Sequence, residues 1–511
     1  MREPQGGSAD GRGALNEPGL GELLATDRHL LFAVLASCAV FALKLVIIAQ
    51  TSLVDDEAYY FLWTRHLALG YVEHAPLLTW FLKASALLFG ETGLGVRLLG
   101  VLSFAGLSAV LYLFGKDLRD RRTGLLLATA FNLTPFFAGA SLVMTTDTPL
   151  VIFLFLTLWA YHRGLFLRES WLPWAGVFLG LALLSKITAV FVAAAILLYL
   201  CVPVGRGRAI RWRSVALSFV IALAVYSPFI LWNAQNDFAF VRWVTGRLLQ
   251  KPGGVVRFAE LWAAQLALYF PLVFLLFVRL VPQTAIAGLR GKIAGAKYFL
   301  ASAAFVPLLY LLVKSYRNKL EANWPATAFV GGIVLVAWHL GERWHEKRVR
   351  VLVTVNHAVA LVCMVLVMAH TLSPFLPVPQ KTDPTARYFR FQTFDGSFKE
   401  YYQAKMNHGV RIFALNYQIP SMIDFYIRPT LEAVCLNFGT YHPTAFDFWY
   451  DDRAFVGQDF YLVTEGDPPG AVLSRFARVK KIETFVSYRG REEAGRFVLY
   501  SCRGYRGRAG G

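Results

Sequence analysis

The sequence predicts a mainly α-helical protein that crosses a membrane many times and carries a small soluble α/β domain at its C-terminal end. Apolar residues make up 56% of the 511 positions and charged residues only 16%. This composition is too apolar for a soluble protein of such length. Apolar runs of bilayer-spanning length recur up to about residue 372. Beyond about residue 374, proline-rich and strand-like segments replace them.

The apolar runs divide the chain into three parts. A polar tail covers residues 1–28, a membrane domain covers 29–373, and a soluble domain covers 374–511. Hydropathy predicts about eleven to thirteen membrane helices, the first too long for a signal-peptide core and therefore uncleaved. The predicted spans lie near residues 29–50, 93–115, 123–141, 148–162, 172–184, 187–204, 214–232, 259–280, 297–313, 325–341 and 350–372.

Basic residues concentrate in short connections between the predicted spans. If the N-terminus is cytoplasmic, five connections on that side are basic, as the positive-inside rule expects. They are residues 116–122, 161–170, 205–213, 279–297 and 341–350. The acidic motifs and the C-terminal domain then lie on the opposite, non-cytoplasmic face, provided that residues 77–90 lie along the interface. Because the net charge of +18 sits in these connections, it does not indicate nucleic-acid binding.

The predicted C-terminal domain has about 130 residues, enough to bury a core of its own. The runs GVRIFAL, DFYLVT and RFVLYSC are rich in β-branched and aromatic residues, which predicts strands in an α/β or mainly β domain. Cys435 and Cys502 lie in this domain. In an oxidising compartment they could form a disulfide, and the alternative is two reduced, buried thiols.

Three consecutive carboxylates follow the first predicted span. Asp55, Asp56 and Glu57 lie at a membrane boundary, where acidic side chains are costly and are generally functional. Capping of the next helix is the structural alternative. The same loop adds an acid beside a histidine, Glu73 and His74, which favours a functional site.

Asp147 and Lys186 lie at the ends of other predicted spans on the same face. Asp147, in TTDTP, could simply cap the helix that follows it. Lys186 is a lone cation within LALLSKITAVFV, and an ionisable residue in such a segment generally has a partner. A phosphate group is one candidate partner, and snorkelling to the interface is the alternative.

Two further loops on this face are rich in cations. Arg242 and Arg247 are about one helical turn apart and lie among aromatic residues. Arginine outside the cytoplasm runs against the positive-inside trend, which suggests an anionic lipid or substrate, although a generic lipid-binding surface is the alternative. The last loop, LVKSYRNKLEANWPA, contributes the candidates Lys314, Arg317, Asn323 and Trp324.

Carboxylates, a histidine and cations on one membrane face suit glycosyl transfer. A carboxylate can accept the proton of an acceptor hydroxyl while cations stabilise the charge on a departing phosphate. The sequence contains no Walker motif and no Gly-rich phosphate turn after a strand. A lipid-phosphate donor would explain why no motif for a soluble nucleotide is present.

The order of these motifs resembles that of bacterial GT-C glycosyltransferases. The chain contains DDEAYYFLWTRHLALGYVEHAPLLTWFLKASALLFG, GVRLLGVL, TTDTPL, LGLALLSKITAV and NKLEANWPA, in this order, within about residues 50–330. The motifs are most similar to the PMT-like group, which includes the aminoarabinose transferases of lipid A. The resemblance implies a GT-C membrane domain with its active site at the non-cytoplasmic face.

The resemblance also implies roles for individual residues. Asp56, with Glu57, matches the family's Asp-Glu motif as base or acceptor-orienting residue, and Asp55 could share that role. Asp147 matches the second acidic position. His74 stands where the aminoarabinose transferases are expected to have lysine, so the donor sugar stays open. The residues expected to hold the carrier phosphate are Lys186, His74, Arg242, Arg247, Arg317 and Lys314. The residues expected to contact substrate are Glu73, Tyr59, Asn323 and Trp324.

The expected reaction is inverting transfer of a sugar from a polyprenyl phosphate to lipid A, lipopolysaccharide or another envelope glycan at the periplasmic face of a bacterial inner membrane. The partners are the lipid-linked donor, a glycolipid acceptor and membrane lipid, and the protein is expected to be a monomer. No cofactor is required, although a divalent cation such as Mg²⁺ or Mn²⁺ could neutralise the phosphate. A protein O-mannosyltransferase is the nearest alternative. A lipid-linked sugar flippase or transporter is the alternative from another class, and its usual repeated halves are not visible.

Overall fold

The structure is a computed structural model. It describes residues 18–201, 211–250, 252–293, 295–380, 382–438 and 442–507, without the side chains of residues 201 and 247–250. Most of the predicted N-terminal tail lies outside these residues.

Seventeen α-helices precede the C-terminal domain in the described ranges. They are α1 Leu20–Thr26, α2 Arg28–Gln50, α3 Asp55–Leu62, α4 Leu77–Phe89, α5 Gly93–Leu118, α6 Arg121–Asn132, α7 Pro135–Leu142, α8 Asp147–His162, α9 Leu172–Ser185, α10 Val190–Cys201, α11 Trp212–Gln235, α12 Ala239–Gln250, α13 Val255–Tyr269, α14 Pro271–Leu289, α15 Ala296–Arg317, α16 Ala326–Glu342 and α17 Lys347–Leu372.

Seven of the described helices are long and apolar enough to cross a membrane: α2, α5, α8 with its continuation to Leu167, α11, α14, α15 and α17. The helices α6 and α7 pass the same test together but are bent by 61°. Shorter apolar helices are α4, α16 and the segment Ile187–Leu200. The chain is therefore a multi-pass membrane protein. Placement of α4 along the membrane interface stays a prediction.

The predicted span near residues 259–280 is wrong in its bounds, because two helices replace it. Helix α13 ends at Tyr269 and α14 begins at Pro271. Between them, Phe270 has a φ of 60°, a left-handed conformation that interrupts an α-helix. Proline at the next position has no backbone N–H to continue the helical hydrogen bonds. Hydropathy misses such a break because both flanking segments are apolar.

Two glycines bring α9 and α11 into close contact. A Cβ atom at Gly176 would lie 2.2 Å from the carbonyl oxygen of Ser218, and one at Gly180 would lie 2.8 Å from that of Ala222. Small residues four positions apart permit such backbone approach between membrane helices. This packing fixes the end of α9, and Lys186 follows that end directly.

The C-terminal domain contains a mixed five-stranded sheet with strand order β2-β1-β3-β5-β4. Its elements are α18 Ser397–Lys405, β1 Arg411–Ala414, α19 Gln418–Tyr426, β2 Val434–Cys435, α20 Phe446–Trp449, β3 Phe460–Thr464, α21 Gly470–Leu473, β4 Phe476–Arg489 and β5 Glu492–Tyr505. Strand β1 is parallel to β2 and β3, whereas β5 is antiparallel to β3 and β4. The predicted α/β domain and its three predicted strands are confirmed.

Cys435 and Cys502 are both buried, and no disulfide joins them. Cys435 lies on β2 and Cys502 on β5, with β1 and β3 between them. Three strand spacings correspond to about 14 Å, which is beyond the Cα separation that a disulfide permits. The structure therefore supports two reduced, buried thiols, and not the Cys435–Cys502 disulfide.

A buried polar cluster joins the C-terminal domain to the last membrane helix. Asp383 lies 3.0 Å from His370 Nε2 near the end of α17, accepts the Thr385 amide at 2.8 Å, and accepts a hydrogen bond from Arg489 of β4. Arg489 also donates to the backbone carbonyl of His370 at 2.5 Å. Burial alone would raise the pKa of Asp383, but the hydrogen bonds from Thr385 and Arg489 outweigh it and hold that pKa below its ordinary value.

Asp383→Asn should destabilise the protein at neutral pH by about 3 kcal/mol, because it leaves Arg489 buried without its carboxylate partner. The folded-state pKa lies below the unfolded value of about 3.9. The stabilisation by the carboxylate is therefore fully present above that value and is lost as the pH falls below it. Thermal unfolding in detergent should show a gap between wild type and variant at pH 7 that narrows toward pH 3. Asp395→Asn, an exposed carboxylate, is the control, and a gap independent of pH would contradict this account.

Candidate active site

A cavity of about 600 Å³ lies where the ends of several membrane helices meet the C-terminal domain. Its polar wall is formed by Asp56, Tyr59, Glu73, His74, Asp147, Lys186, Lys319, Glu321, Asn323, Arg387, Tyr417 and His442. Its apolar wall includes Ile187, Val190, Phe191, Phe240, Val244, Tyr310 and Leu311. The cavity therefore combines a charged region with a region suited to hydrocarbon.

The three consecutive carboxylates at the start of α3 have different surroundings. Successive residues of an α-helix point in different directions, because each turn takes 3.6 residues. Asp56 lines the cavity and is half-buried, whereas Asp55 and Glu57 are buried and do not line it. Of the three acids, Asp56 is the one that faces the cavity.

Glu57 forms a fully buried ion pair with Arg97 of α5. The Arg97 Nη2 atom is 2.5 Å from Glu57 Oε2, and neither side chain is exposed. Glu57 also accepts the backbone amides of Val54 at 3.0 Å and of Met144 at 2.8 Å. These contacts tie the start of α3 to α5 and to the segment before α8. These contacts indicate that Glu57 supports the fold. Its side chain does not face the cavity, although the predicted catalytic role would require that.

Asp56 is held by two side chains of the C-terminal domain. The Tyr417 hydroxyl donates to Oδ1 at 3.1 Å, and Arg387 Nη2 donates to Oδ2 at 3.2 Å. The same Arg387 atom donates to Asp55 Oδ1 at 2.7 Å. Burial raises the pKa of Asp56 and repulsion from Asp55 raises it further, while Arg387 and Tyr417 oppose the shift, with a net upward direction.

Asp147 and Lys186 form a second ion pair within the cavity. Asp147 begins α8 and Lys186 follows α9, and the distance from Lys186 Nζ to Asp147 Oδ1 is 2.8 Å. Their side chains are only 6% and 10% exposed. The other Asp147 oxygen accepts a hydrogen bond from Asn323. Lys186 therefore has a partner, as expected for a cation in an apolar hairpin, and that partner is protein.

Glu73 and His74 line the cavity from the loop before α4. Glu73 accepts a hydrogen bond from the Tyr59 hydroxyl, which itself accepts the amide of Ala445 at 2.8 Å. Burial raises the pKa of Tyr59 well above its ordinary value, and the charge of Glu73 adds to the shift. His442 Nε2 lies 3.9 Å from Glu73 Oε1. This wall, like that around Asp56, is shared by the membrane domain and the C-terminal domain.

Sequence comparison relates the chain to glycosyltransferases. Residues 73–232 match a family model described as dolichyl-phosphate-mannose-protein mannosyltransferase. A curated relative is the lipid A galacturonosyltransferase RgtD of Rhizobium johnstonii, which is 28% identical over 312 residues. The alignment covers 60% of this chain and 64% of that protein, so the chain matches less than two thirds of the relative's length.

Structure comparison relates almost the whole chain to a solved membrane protein, ArnT. ArnT from Cupriavidus metallidurans in the apo state matches with a TM-score of 0.62 and 15% identity, covering 93% of this chain and 98% of ArnT. The chain has the GT-C fold. ArnT bound to undecaprenyl phosphate matches with a TM-score of 0.61 and 15% identity, covering 91% of this chain and 97% of ArnT.

Most residues predicted for this GT-C site line the cavity, but several predicted cations do not. Arg242, Lys314 and Arg317 are absent from its wall. Lys314 and Arg317 do not reach the cavity because they belong to α15, which continues to Arg317. The carbonyls of Tyr316 and Arg317 accept hydrogen bonds from the amides of Gly254 and Gly253. After Tyr310 and Leu311 of α15, the chain lines the cavity again only from Asn318 onward, with Lys319, Asn323 and Trp324. The predicted Arg247 has its side chain outside the described residues.

The three cavity residues that the C-terminal domain contributes, among those described, were not predicted from the sequence. Arg387, Tyr417 and His442 come from the C-terminal domain of the GT-C protein. They lie more than 300 positions from Asp56 in the sequence and carry no motif of their own. Only the docking of the two domains brings them to the cavity.

No group of three or more His, Cys, Asp or Glu side chains arranged to hold a metal ion occurs among the residues that the structure describes. Asp55 and Asp56, adjacent at the start of α3, both pair with Arg387. Assistance by a divalent cation stays a prediction.

Proposed function

We propose that this GT-C protein transfers a sugar from a polyprenyl-phosphate carrier to lipid A or another envelope glycolipid, at the periplasmic face of a bacterial inner membrane. The observation that carries the proposal is the cavity in which Asp56, Asp147 and Lys186 lie beside an apolar wall. The activity in the name of RgtD and the undecaprenyl phosphate bound to ArnT support it.

The apolar wall suits the first isoprene units of a carrier. Phe191 and Tyr310 stack with ring centroids 4.1 Å apart, and Ile187 and Val190 line the same cavity next to Lys186. A carrier lying against these side chains would place its phosphate near the Lys186 ammonium group. Lys319 and His74 are further cavity residues that could contact the phosphate.

Asp56 is placed to act as the general base. Its carboxylate would accept the proton of the acceptor hydroxyl while the hydroxyl oxygen attacks the anomeric carbon of the donor. The bond from that carbon to the phosphate oxygen breaks, and the released carrier phosphate keeps the electron pair. A single displacement of this kind inverts the anomeric configuration, in contrast to a double displacement through a glycosyl-enzyme. Cations around the phosphate stabilise the charge that develops on it.

Acceptor and donor choice would depend on the wall that faces the C-terminal domain. Glu73, His74 and His442 lie there together with Tyr417. This chain has His74 at the position where the aminoarabinose transferases are expected to have lysine. The relative RgtD is named for the transfer of galacturonic acid, an acidic sugar. A donor panel should therefore include both an acidic and an amino sugar.

Asp56→Asn should lower transfer by about 100-fold or more, because the amide cannot accept the hydroxyl proton. The assay incubates purified protein in liposomes with a mixed pool of polyprenyl-phosphate sugars and a total envelope-lipid extract, and mass spectrometry detects lipids that gain a sugar. Asp395→Asn, on the surface of the C-terminal domain, is the matched control and should transfer normally. A product formed equally by Asp56→Asn would contradict the assignment of the base.

A polypeptide acceptor is the second candidate. The family model that matches residues 73–232 is described as a protein mannosyltransferase, so envelope peptides belong in the same assay. Sugar gained by peptide and by no lipid would replace the glycolipid acceptor. Absence of any wild-type product would remove glycosyl transfer itself and leave lipid-linked sugar transport to be tested.

A further inference from the structure

Arg387 connects the C-terminal domain directly to the carboxylates of α3. Its Nη2 atom lies 2.7 Å from Asp55 Oδ1 and 3.2 Å from Asp56 Oδ2. Tyr417, from the segment between β1 and α19, donates to the other oxygen of Asp56 at 3.1 Å. Both oxygens of the proposed base are thus held by residues that the membrane domain does not contain.

The position of Arg387 is fixed by contacts on both sides of it in the chain. It lies in a 3₁₀ turn, Pro384–Tyr388, whose first residues are anchored by Asp383. Asp383 is itself bound to Arg489. On the other side of the turn, the guanidinium of Arg97 lies 5.4 Å from the ring centroid of Tyr388. The turn therefore presents Arg387 to the cavity from a supported position.

We propose that Arg387 and Tyr417 are positioning residues that orient Asp56 for proton transfer and keep it ionised, so that the base is competent only when the C-terminal domain is docked. This inference rests on the proposed function. With one oxygen bound by Tyr417 and the other by Arg387, the carboxylate plane is fixed, and each oxygen retains a lone pair that can face an acceptor hydroxyl.

The electrostatic part of this role follows from the groups that face Asp56. In the described part of the chain they are Asp55 on its own helix, Arg387 in the 384–388 turn and Tyr417 ahead of α19. Burial and Asp55 raise the pKa of Asp56, whereas Arg387 and Tyr417 lower it. A base must be deprotonated to work, so loss of either opposing group should restrict activity to higher pH.

The competing explanation is that the contacts of Arg387 and Tyr417 with Asp56 only hold the two domains together. Such a contact would change stability and the amount of active protein, but it would not change the pH at which the base becomes protonated. The acidic limb of the kcat/KM profile therefore separates the two explanations, because it reports the pKa of a group in the free enzyme.

The test compares the pH profile of kcat/KM for wild type, Arg387→Gln, Arg387→Lys and Tyr417→Phe in the liposome assay. Arg387→Gln should move the acidic limb to higher pH by about one unit, since a neighbouring opposite charge shifts a pKa by about that much or more. Arg387→Lys keeps the charge and should keep the limb near its wild-type position. Tyr417→Phe should move it in the same direction as Arg387→Gln, by less.

Arg390→Gln is the matched control. Arg390 lies three residues after Arg387 in the sequence and pairs with Glu465 instead of the cavity acids, so its profile should match wild type. An unchanged acidic limb in both Arg387→Gln and Tyr417→Phe, with an active wild type, overturns the inference and leaves the proposed function standing. A wild type that transfers no sugar at any pH overturns the proposed function and this inference with it. If Arg387→Gln does not fold, Tyr417→Phe decides the outcome alone.

Discussion

Arg97→Met should lower the free energy of unfolding by about 3–5 kcal/mol, the cost of removing one partner of a buried ion pair. Glu57 would remain in the interior with its two backbone amide donors but without its cation. Because Glu57 also ties α3 to the segment before α8, the variant should lose the geometry that places Asp56 and Asp147 in one cavity. Thermal unfolding in detergent and transfer activity should therefore fall together.

The control for Arg97→Met is Arg119→Met at the other end of α5. Arg119 pairs with Asp120 at the surface, with 37% of its side chain exposed, and such pairs contribute at most about 1 kcal/mol. Adding Glu57→Gln to Arg97→Met should recover part of the lost stability, because the buried charge is then removed. Equal melting temperatures for Arg97→Met and Arg119→Met would show that the Glu57–Arg97 pair does not hold α3 in place.

The sequence predicted the site residues that lie next to membrane spans. Asp56, Asp147 and Lys186 could be singled out because a charge beside hydrocarbon is costly and needs a reason. Glu57 drew the same attention because it adjoins Asp56. Helical geometry separates the two: the side chain one position further along α3 points away from the cavity and meets Arg97. A cation within an apolar helix, Arg97 in GVRLLG, was the available signal for a partner.

The hydropathy pattern of the sequence predicted the fold more completely than it predicted the site. Long apolar runs and alternating strand segments indicated the membrane helices and the sheet, because burial of apolar surface imposes a local period. The break at Phe270 was hidden, since neither half lost its apolar character. Arg387 and Tyr417 were hidden for another reason: their role comes from docking between domains, which leaves no local period or spacing to detect.

Lys186→Met should reduce kcat/KM for the polyprenyl-phosphate donor by about 100-fold, if its ammonium group stabilises the departing phosphate as proposed. Asp147 is only 6% exposed, and the variant leaves this buried carboxylate without its cation. The resulting loss of stability could lower activity by itself. Two explanations, phosphate stabilisation and support of the fold, thus predict the same result for the single variant.

The double variant Lys186→Met with Asp147→Asn separates the two explanations. Removal of both charges should restore much of the stability lost in Lys186→Met, because a buried ion pair and an uncharged pair of similar size are often equally stable. Asn323 would still have an amide oxygen to bond. If the pair only supports the fold, transfer should return together with the melting temperature. We expect the melting temperature to recover and transfer to stay low, since the phosphate would still lack its cation. Transfer at the wild-type rate by the double variant would remove Lys186 and Asp147 from the mechanism.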